Sequence, residues 1–562
     1  MESTIRTALA DALSTLGAES LTFSVEHPAE RSHGDYATNA ALVAAKTIGT
    51  RPRDIAELLK EKLDGSIEYV ERIEIAGPGF INFYLHRDFF LKEILRAVAE
   101  GDRWGHNDHW NGKVVLVEYT DPNPFKEFHI GHLFTNAVGE SIARLFITQG
   151  ADVRRVNYQG DVGLHVACAI YGMQQLNLTE NTAVTAKDLG RAYAKGAAAN
   201  KEDDTAKHEI AAINKALYER SDPKLNALYD RGRRVSLEYF ETIYRIVGTN
   251  FDHYFFESEA APYGKALVLA NPDVFPESDG ARVFLGETYG LHSRVFLNSL
   301  GLPTYEAKEL ALAKLKDDYA HYDHSVVATA KEISEYFKVL LKAMSFVYPD
   351  LAEKTEHIGH GMVRLATGKM SSRTGDVIPA LEFIDEITAA AETKMEASGV
   401  SVTDRSVAQA VAIGAIKYAT LKGSIYQDTI FNKEQALSFE GASGPYLQYT
   451  HARIASVLDK ANAMGIVPRM DIESVPDVPY EIEQVLYRFP EIIEKAFETR
   501  EPHRIATFLT ELAAAFNTFY AHERIADPAD EHASYKALLA ASVKQTLHNG
   551  LWILGIKAPE RM

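Results

Sequence analysis

The sequence predicts an α/β chain of several domains: a central domain built on a parallel sheet, a small α/β domain before it and a helical bundle after it. Three observations predict this. At ~100–200 residues per domain, 562 residues are too many for one core. The apolar, β-branched run at residues 113–119 is followed by a helical stripe and a second strand, the order of a βαβ unit. The last part of the chain repeats apolar stripes at helical spacing.

Taken in order, Ser32-His33-Gly34-Asp35-Tyr36 is a turn-rich loop and residues 39–45 are Ala-rich and helical. Ile73-Glu74-Ile75 leads into Gly77-Pro78-Gly79, and Phe80-Ile81-Asn82-Phe83-Tyr84-Leu85 alternates like a strand. Residues 101–108 read as a linker. The run at 113–119 has the composition of a buried parallel strand, which Asp121-Pro122-Asn123-Pro124 must end. From Gly131 the period becomes helical, with Leu133, Phe134, Val138, Ile142, Leu145 and Phe146 on one stripe and Gly150 as the stop. Residues 153–156 resume strand character, and about 172–250 are largely helical. After about 385 only helices are expected. The predicted division is 1–108, 109–385 with a helical insertion at about 172–250, a helical connection at 386–440, and a bundle at 441–562.

Composition removes several classes. With 46% hydrophobic and 24% charged residues the chain is of ordinary globular composition. Its one cysteine, Cys168, excludes a disulfide framework and any multi-cysteine metal site, and is most simply a small buried hydrophobe. No apolar run approaches the ~20 residues of a membrane span, and Met1-Glu2-Ser3-Thr4 does not open a signal sequence. A cytoplasmic protein without membrane partners is expected. Lys and Arg number 59 against 78 Asp and Glu, net −19, which argues against general adhesion to nucleic acid yet permits a local basic face.

Two segments carry chemistry. His129-Ile130-Gly131-His132 stands between the strand and the helix, where unpaired N–H groups and the helix dipole welcome a phosphate. Gly131 lets the backbone approach, and both imidazoles can donate. Far downstream, Gly368-Lys369-Met370-Ser371-Ser372-Arg373-Thr374-Gly375 combines glycines, two cations and two hydroxyls, a set suited to holding a triphosphate during reaction.

These two segments resemble the signature motifs of class I aminoacyl-tRNA synthetases, and the words around them resemble arginyl-tRNA synthetases. The likeness runs through His33-Gly34-Asp35-Tyr36-Ala37-Thr38-Asn39, residues 118–133, Asn157-Tyr158-Gln159-Gly160-Asp161-Val162-Gly163, Gly301-Leu302-Pro303-Thr304-Tyr305, residues 444–453 and Pro559-Glu560-Arg561-Met562. It implies a Rossmann-like catalytic domain, an N-terminal domain that touches tRNA, and a helical anticodon-binding bundle. The implied partners are ATP, L-arginine and tRNA(Arg), the cofactor is Mg²⁺ carried by ATP with no structural metal, and the chain is expected to act as a monomer. It also implies that arginine is activated only when tRNA is bound.

By the same resemblance, ATP is held by His129, Gly131, His132, Lys369, Met370, Ser371, Ser372 and Arg373, with Lys126 adding charge; His129, His132, Lys369 and Lys126 are the catalytic candidates. Arginine falls to Glu118, Asn123, Tyr305 and Glu309. A planar, always charged guanidinium requires carboxylates and acceptors in its pocket. Tyr446 and Tyr449 are candidates for stacking on tRNA bases. From 441 to 562 there are 12 Lys+Arg and 16 Asp+Glu, so charge does not mark this bundle as an RNA binder.

The sequence departs from the family pattern twice. Glu309 stands where Asp is expected, which moves the charge by about one methylene. Ile333 stands where relatives often have Gln, so either Glu332 compensates or the pocket lacks that contact, and Ile333 is assigned no role. His165 can be a packing histidine or a site residue. Two other classes share part of the pattern: a short nucleotidyltransferase with the same phosphate motifs, and a silent relative that binds tRNA or arginine.

Overall fold

Five parallel strands, in the order Thr355–His360, His324–Ala330, Val114–Tyr119, Asp152–Gln159 and His253–Phe256, form the central sheet. They belong to a computed structural model that describes residues 1–179, 182–365, 378–397, 404–472 and 474–562. Val115, Leu116 and Val117 are fully buried, as a strand covered on both faces requires. The chain lays down Val114–Tyr119 first, builds outward on one side, then returns to build on the other. The order therefore reverses beside that strand, which opens a crevice at its carboxyl end.

Helix Ile130–Thr148 follows the first strand, and Gly150 ends the connection at φ 87°. Between the second and third strands run helices Leu164–Gln175, Ala186–Glu202, Asp204–Glu219 and Pro223–Val247. Asp222 caps the last of these by accepting from the N–H of Lys224 at 2.8 Å, and Gly248 stops it at φ 72°.

Two expectations need correction. The chain after 385 is not wholly helical, because Thr429–Phe431 forms a strand paired in parallel with Val363–Leu365. Three residues between helices carry too little pattern to announce a strand. The 101–108 linker is also anchored: Gly101–Arg103 makes a 3₁₀ turn, and Trp104 is fully buried with its indole N–H donating to Thr546 Oγ1 at 3.0 Å.

The chain divides into two compact units. One contains residues 1–105, 453–492 and 511–549; the other contains 106–452, 493–510 and 550–562. In the first, a four-stranded antiparallel sheet ordered Val25–Glu26, Tyr36–Thr38, Phe80–Leu85 and Val70–Ala76 is packed with helices Glu2–Thr15, Ala40–Ile48 and Pro52–Leu63. Tyr487, from the distant part of the chain, is buried in the same core as Ile5, Phe83 and Phe90. Among the described residues no helix is long and apolar enough to cross a membrane.

Candidate functional site

The site grows from the end of strand Val114–Tyr119. The chain leaves it through positive φ at Thr120 (80°), Asp121 (43°) and Phe125 (67°), conformations that side chains other than glycine adopt only when their surroundings impose them. Tyr158 N–H donates to Asp121 Oδ1 at 2.8 Å, which ties this loop to the neighbouring strand.

His129 caps helix Ile130–Thr148. Its backbone N–H donates to His132 Nδ1 at 3.2 Å, and the two rings stack with centroids 3.7 Å apart. That bond makes His132 Nδ1 an acceptor and leaves its proton on Nε2. A Cβ on Gly131 would stand 2.9 Å from the His129 ring, so this stacking needs glycine. Burial, with help from the Lys126 charge, pushes His129 down to about 4; burial, His129 and Lys126 push His132 well below its ordinary range. At neutral pH the pair thus offers neutral N–H donors at the helix N-terminus rather than two cations. Lys126 is not a solvated loop lysine: burial lowers its pKa, and its Nζ lies 4.7 Å from the Tyr193 ring centroid.

Lys369, Met370, Ser371, Ser372 and Arg373 lie outside the described residues. The described chain re-enters at Ile378, whose carbonyl accepts from Ile130 N–H at 3.2 Å, while Ala380 N–H donates to Phe128 O at 2.8 Å. The stretch following the second motif is therefore pinned against the first.

On the other side of the crevice, helix Tyr305–Ala320 carries charge into the interior. Lys308 and Lys316 are each 4% exposed. Lys316 Nζ sits 2.6 Å from Glu118 Oε2, and Lys308 pairs with buried Glu257. Glu309 shares the face with Lys316 seven residues on. Burial first, then the charge of Glu118, pushes Glu309 up to about 8; the same two causes, joined by Glu309, raise Asp121 well above the carboxylate range. The phenols of Tyr158 and Tyr336, both responsive to Glu309, are buried without a hydrogen-bond partner among the described residues. Three carboxylates thus gather around one ammonium, with two phenols to spare. Such a pocket is short of a cation with several donors.

Asn123 meets this cluster at Gly160, where a Cβ would collide with Asn123 Oδ1 and stand 3.2 Å from Glu257 Oε1. Tyr305 opens the helix, 59% exposed, with Lys308 Nζ 4.5 Å from its ring centroid. Glu332 and Ile333 are exposed in the turn Lys331–Ile333. His165 holds the Gly160 carbonyl through Nε2 at 2.8 Å, and Cys168 is buried in helix Leu164–Gln175. Tyr446 and Tyr449 are half-buried on helix Gly444–Ala463, the latter with its ring 6.1 Å from Phe439. Among the described residues no three His, Cys, Asp or Glu side chains converge as metal ligands.

The raised Glu309 gives a pH dependence of definite sign. Its proton is held until pH approaches 8, above the ~4.3 of an unfolded glutamate, so its contribution to stability is full below the lower value and is lost as pH rises through the higher. A bound guanidinium favours the ionised form. On the expectation that the occupant is arginine, as the sequence resemblance implies, its KM should fall as pH rises from 6 to 9. Discrimination against citrulline, whose urea oxygen a protonated Glu309 can serve, should widen over the same range. Both trends are checked by kcat/KM profiles of the parent and Glu309→Gln; identical slopes in the two would remove Glu309 from the pocket.

Three family models match the chain in succession: the arginyl-tRNA synthetase N-terminal domain over residues 3–85, the class I (R) tRNA synthetase catalytic domain over 93–433, and the DALR anticodon-binding domain over 447–562. A protein of Clostridium kluyveri named arginine--tRNA ligase is 30% identical over 556 residues, covering 96% of each chain. One of the same name from Lactococcus lactis subsp. cremoris is 31% identical over 554 residues, covering 97% of each. Among solved structures, the arginyl-tRNA synthetase of Thermus thermophilus superposes with a TM-score of 0.81 at 27% identity and full coverage of both chains. That of Plasmodium falciparum, at 20% identity and a TM-score of 0.80, shares the fold over 100% of this chain and 99% of its own.

Proposed function

From the premise that the chain belongs to the arginyl-tRNA synthetase family, and so joins L-arginine to tRNA with ATP, we propose which of its side chains do so. The arginine carboxylate attacks the α-phosphorus of ATP, giving arginyl-adenylate and pyrophosphate; a hydroxyl of the terminal tRNA ribose then takes the arginyl group and AMP leaves. No side-chain nucleophile is needed, so the residues act by placement and by charge.

The observation that carries the assignment is the ion pair of Glu118 and Lys316 at the sheet's switch point, with Glu309 and Asp121 beside it. Glu118 and Glu309 receive the guanidinium, and Asn123 and Tyr305 bound the rest of the amino acid. The neutral imidazoles and the helix N-terminus receive phosphate oxygens, with Lys126 as the nearby charge. Lys369 and Arg373, with Gly131, Met370, Ser371 and Ser372, complete the nucleotide site. Mg²⁺ carried on the ATP phosphates, its usual mode of binding, would supply charge neutralisation there.

We also propose that residues 1–108 and 441–562 contact tRNA(Arg), with Tyr446 and Tyr449 offering ring surface to unpaired bases, and that the protein works as a cytoplasmic monomer. Supporting the tRNA contacts is the match of the two end segments to N-terminal and anticodon-binding family models.

The test is Lys369→Ala. Loss of one preorganised charge at the transferring phosphorus is expected to cost ~3–4 kcal/mol, or ~10²–10³ in rate. Single-turnover adenylate formation at saturating arginine and tRNA reads this directly, and a rate near the parent's would take Lys369 out of the mechanism.

A further inference from the structure

Asp161 is fully buried between the second sheet strand and helix Leu164–Gln175, and no step of the reaction uses it. Its carboxylate nevertheless gathers four donors from two other elements. Tyr229 OH donates to Oδ2 at 3.0 Å and Arg233 Nε at 2.9 Å, both from helix Pro223–Val247. Ser258 donates twice, through N–H to Oδ1 at 2.8 Å and through Oγ to Oδ2 at 2.8 Å, from the first turn of helix Glu257–Ala270. A carboxylate that accepts so many bonds fixes whatever holds it.

What it fixes is the floor of the arginine pocket. Ser258 is preceded by Glu257, whose carboxylate pairs with Lys308 and stands beside Gly160 and Asn123. Gly160 immediately precedes Asp161, and its carbonyl is held from the far side by His165. Asn123 has room only because residue 160 lacks a Cβ, so a small shift of the 160–161 backbone or of the helix start moves both groups. The helical insertion thus reaches the substrate site through one buried carboxylate.

We propose that Asp161 is a positioning residue that sets arginine affinity, by holding Glu257 and Gly160 in register against Asn123. The proposal rests on the reading of Asn123 as part of the arginine pocket. It expects a defect in arginine KM with kcat and ATP KM nearly unchanged, since no donor of the clamp lies in the phosphate site.

The experiment uses the full-length protein in tRNA charging. Asp161→Asn keeps the shape and removes the charge; arginine KM should rise about tenfold, with kcat within about threefold of the parent, the loss expected when charge-assisted hydrogen bonds are weakened. Tyr229→Phe removes one distant donor and should raise arginine KM about threefold, which keeps the test open if Asp161→Asn folds poorly. Asn123→Ala is measured beside them. A raised arginine KM in Asn123→Ala, with parental values in Asp161→Asn and Tyr229→Phe whatever their melting temperatures, would show that the clamp is structural only. Parental arginine KM in all three would show that the pocket itself is misplaced, and the positioning role would fall with it.

Discussion

Glu118→Gln is expected to lower kcat/KM for arginine by about 10²–10³ while leaving ATP KM within a few-fold of the parent. Glu118 is 2% exposed and lies 2.6 Å from a lysine that is itself 4% exposed. Removing one partner of a buried ion pair typically costs ~3–5 kcal/mol, because the other charge is left uncompensated. Here the loss is felt twice. The substrate guanidinium loses a carboxylate, and Lys316 is left to turn toward Glu309 and Asp121, the carboxylates still available to it. Lys316→Met should have a different signature. It leaves three carboxylates with no resident cation, so they hold protons to higher pH, and the pH below which arginine KM deteriorates should move upward. Matching pH profiles for parent and Lys316→Met, or an arginine kcat/KM within threefold of the parent for Glu118→Gln, would exclude this pair from substrate binding.

Which parts of that pocket were legible depended on how each residue is written in the sequence. Glu118, Asn123 and the His129–His132 turn follow a β-branched run, so a strand end and a helix start could be placed there from pattern alone. Lys308, Lys316 and Glu257 could not. Each is a charged residue in a stretch where the sequence announces no element, the ordinary expectation for it is a solvated side chain, and burial of such groups depends on partners 51 residues away for Lys308 and in another strand for Lys316. The one available hint was spacing, since Lys316 follows Glu309 by seven residues and must share its helix face. In the sequence Asp121 marks the end of the strand, and nothing there shows that its carboxyl joins the cluster. Glu332 shows the opposite case: a carboxylate with a candidate role that the turn Lys331–Ile333 leaves exposed.

The fold shows a similar division. The βαβ unit and the N-terminal strand Phe80–Leu85 are local patterns, readable from period 2 and period 3.6. The partnership of residues 1–105 with 453–492 and 511–549 is not local at all. Its contacts join side chains nearly 400 positions apart, and nothing in the composition of either segment names the other.

That partnership predicts the largest effect on stability. Arg87 NH1 lies 2.6 Å from Glu483 Oε2, with the two side chains 11% and 0% exposed. Arg87 also donates through Nε to Pro476 O at 2.9 Å and through NH2 to Tyr535 OH at 2.5 Å, while Glu483 accepts from Tyr480 N–H at 3.0 Å. Burial raises the Glu483 pKa, and the Arg87 charge works against that rise. Glu483→Gln or Arg87→Met alone should destabilise this unit by about 3–5 kcal/mol, whereas Arg87→Met combined with Glu483→Met should recover much of that loss by replacing two buried charges with apolar volume. A whole-chain melting point is a poor readout for a protein of two compact units. Hydrogen exchange of helices Arg87–Glu100 and Glu481–Leu486 is the direct one: faster in each single variant, slower again in the double. Strict additivity, with the double variant exchanging faster than either single one, would mean that the pair does not bind the amino-terminal residues to their distant partners.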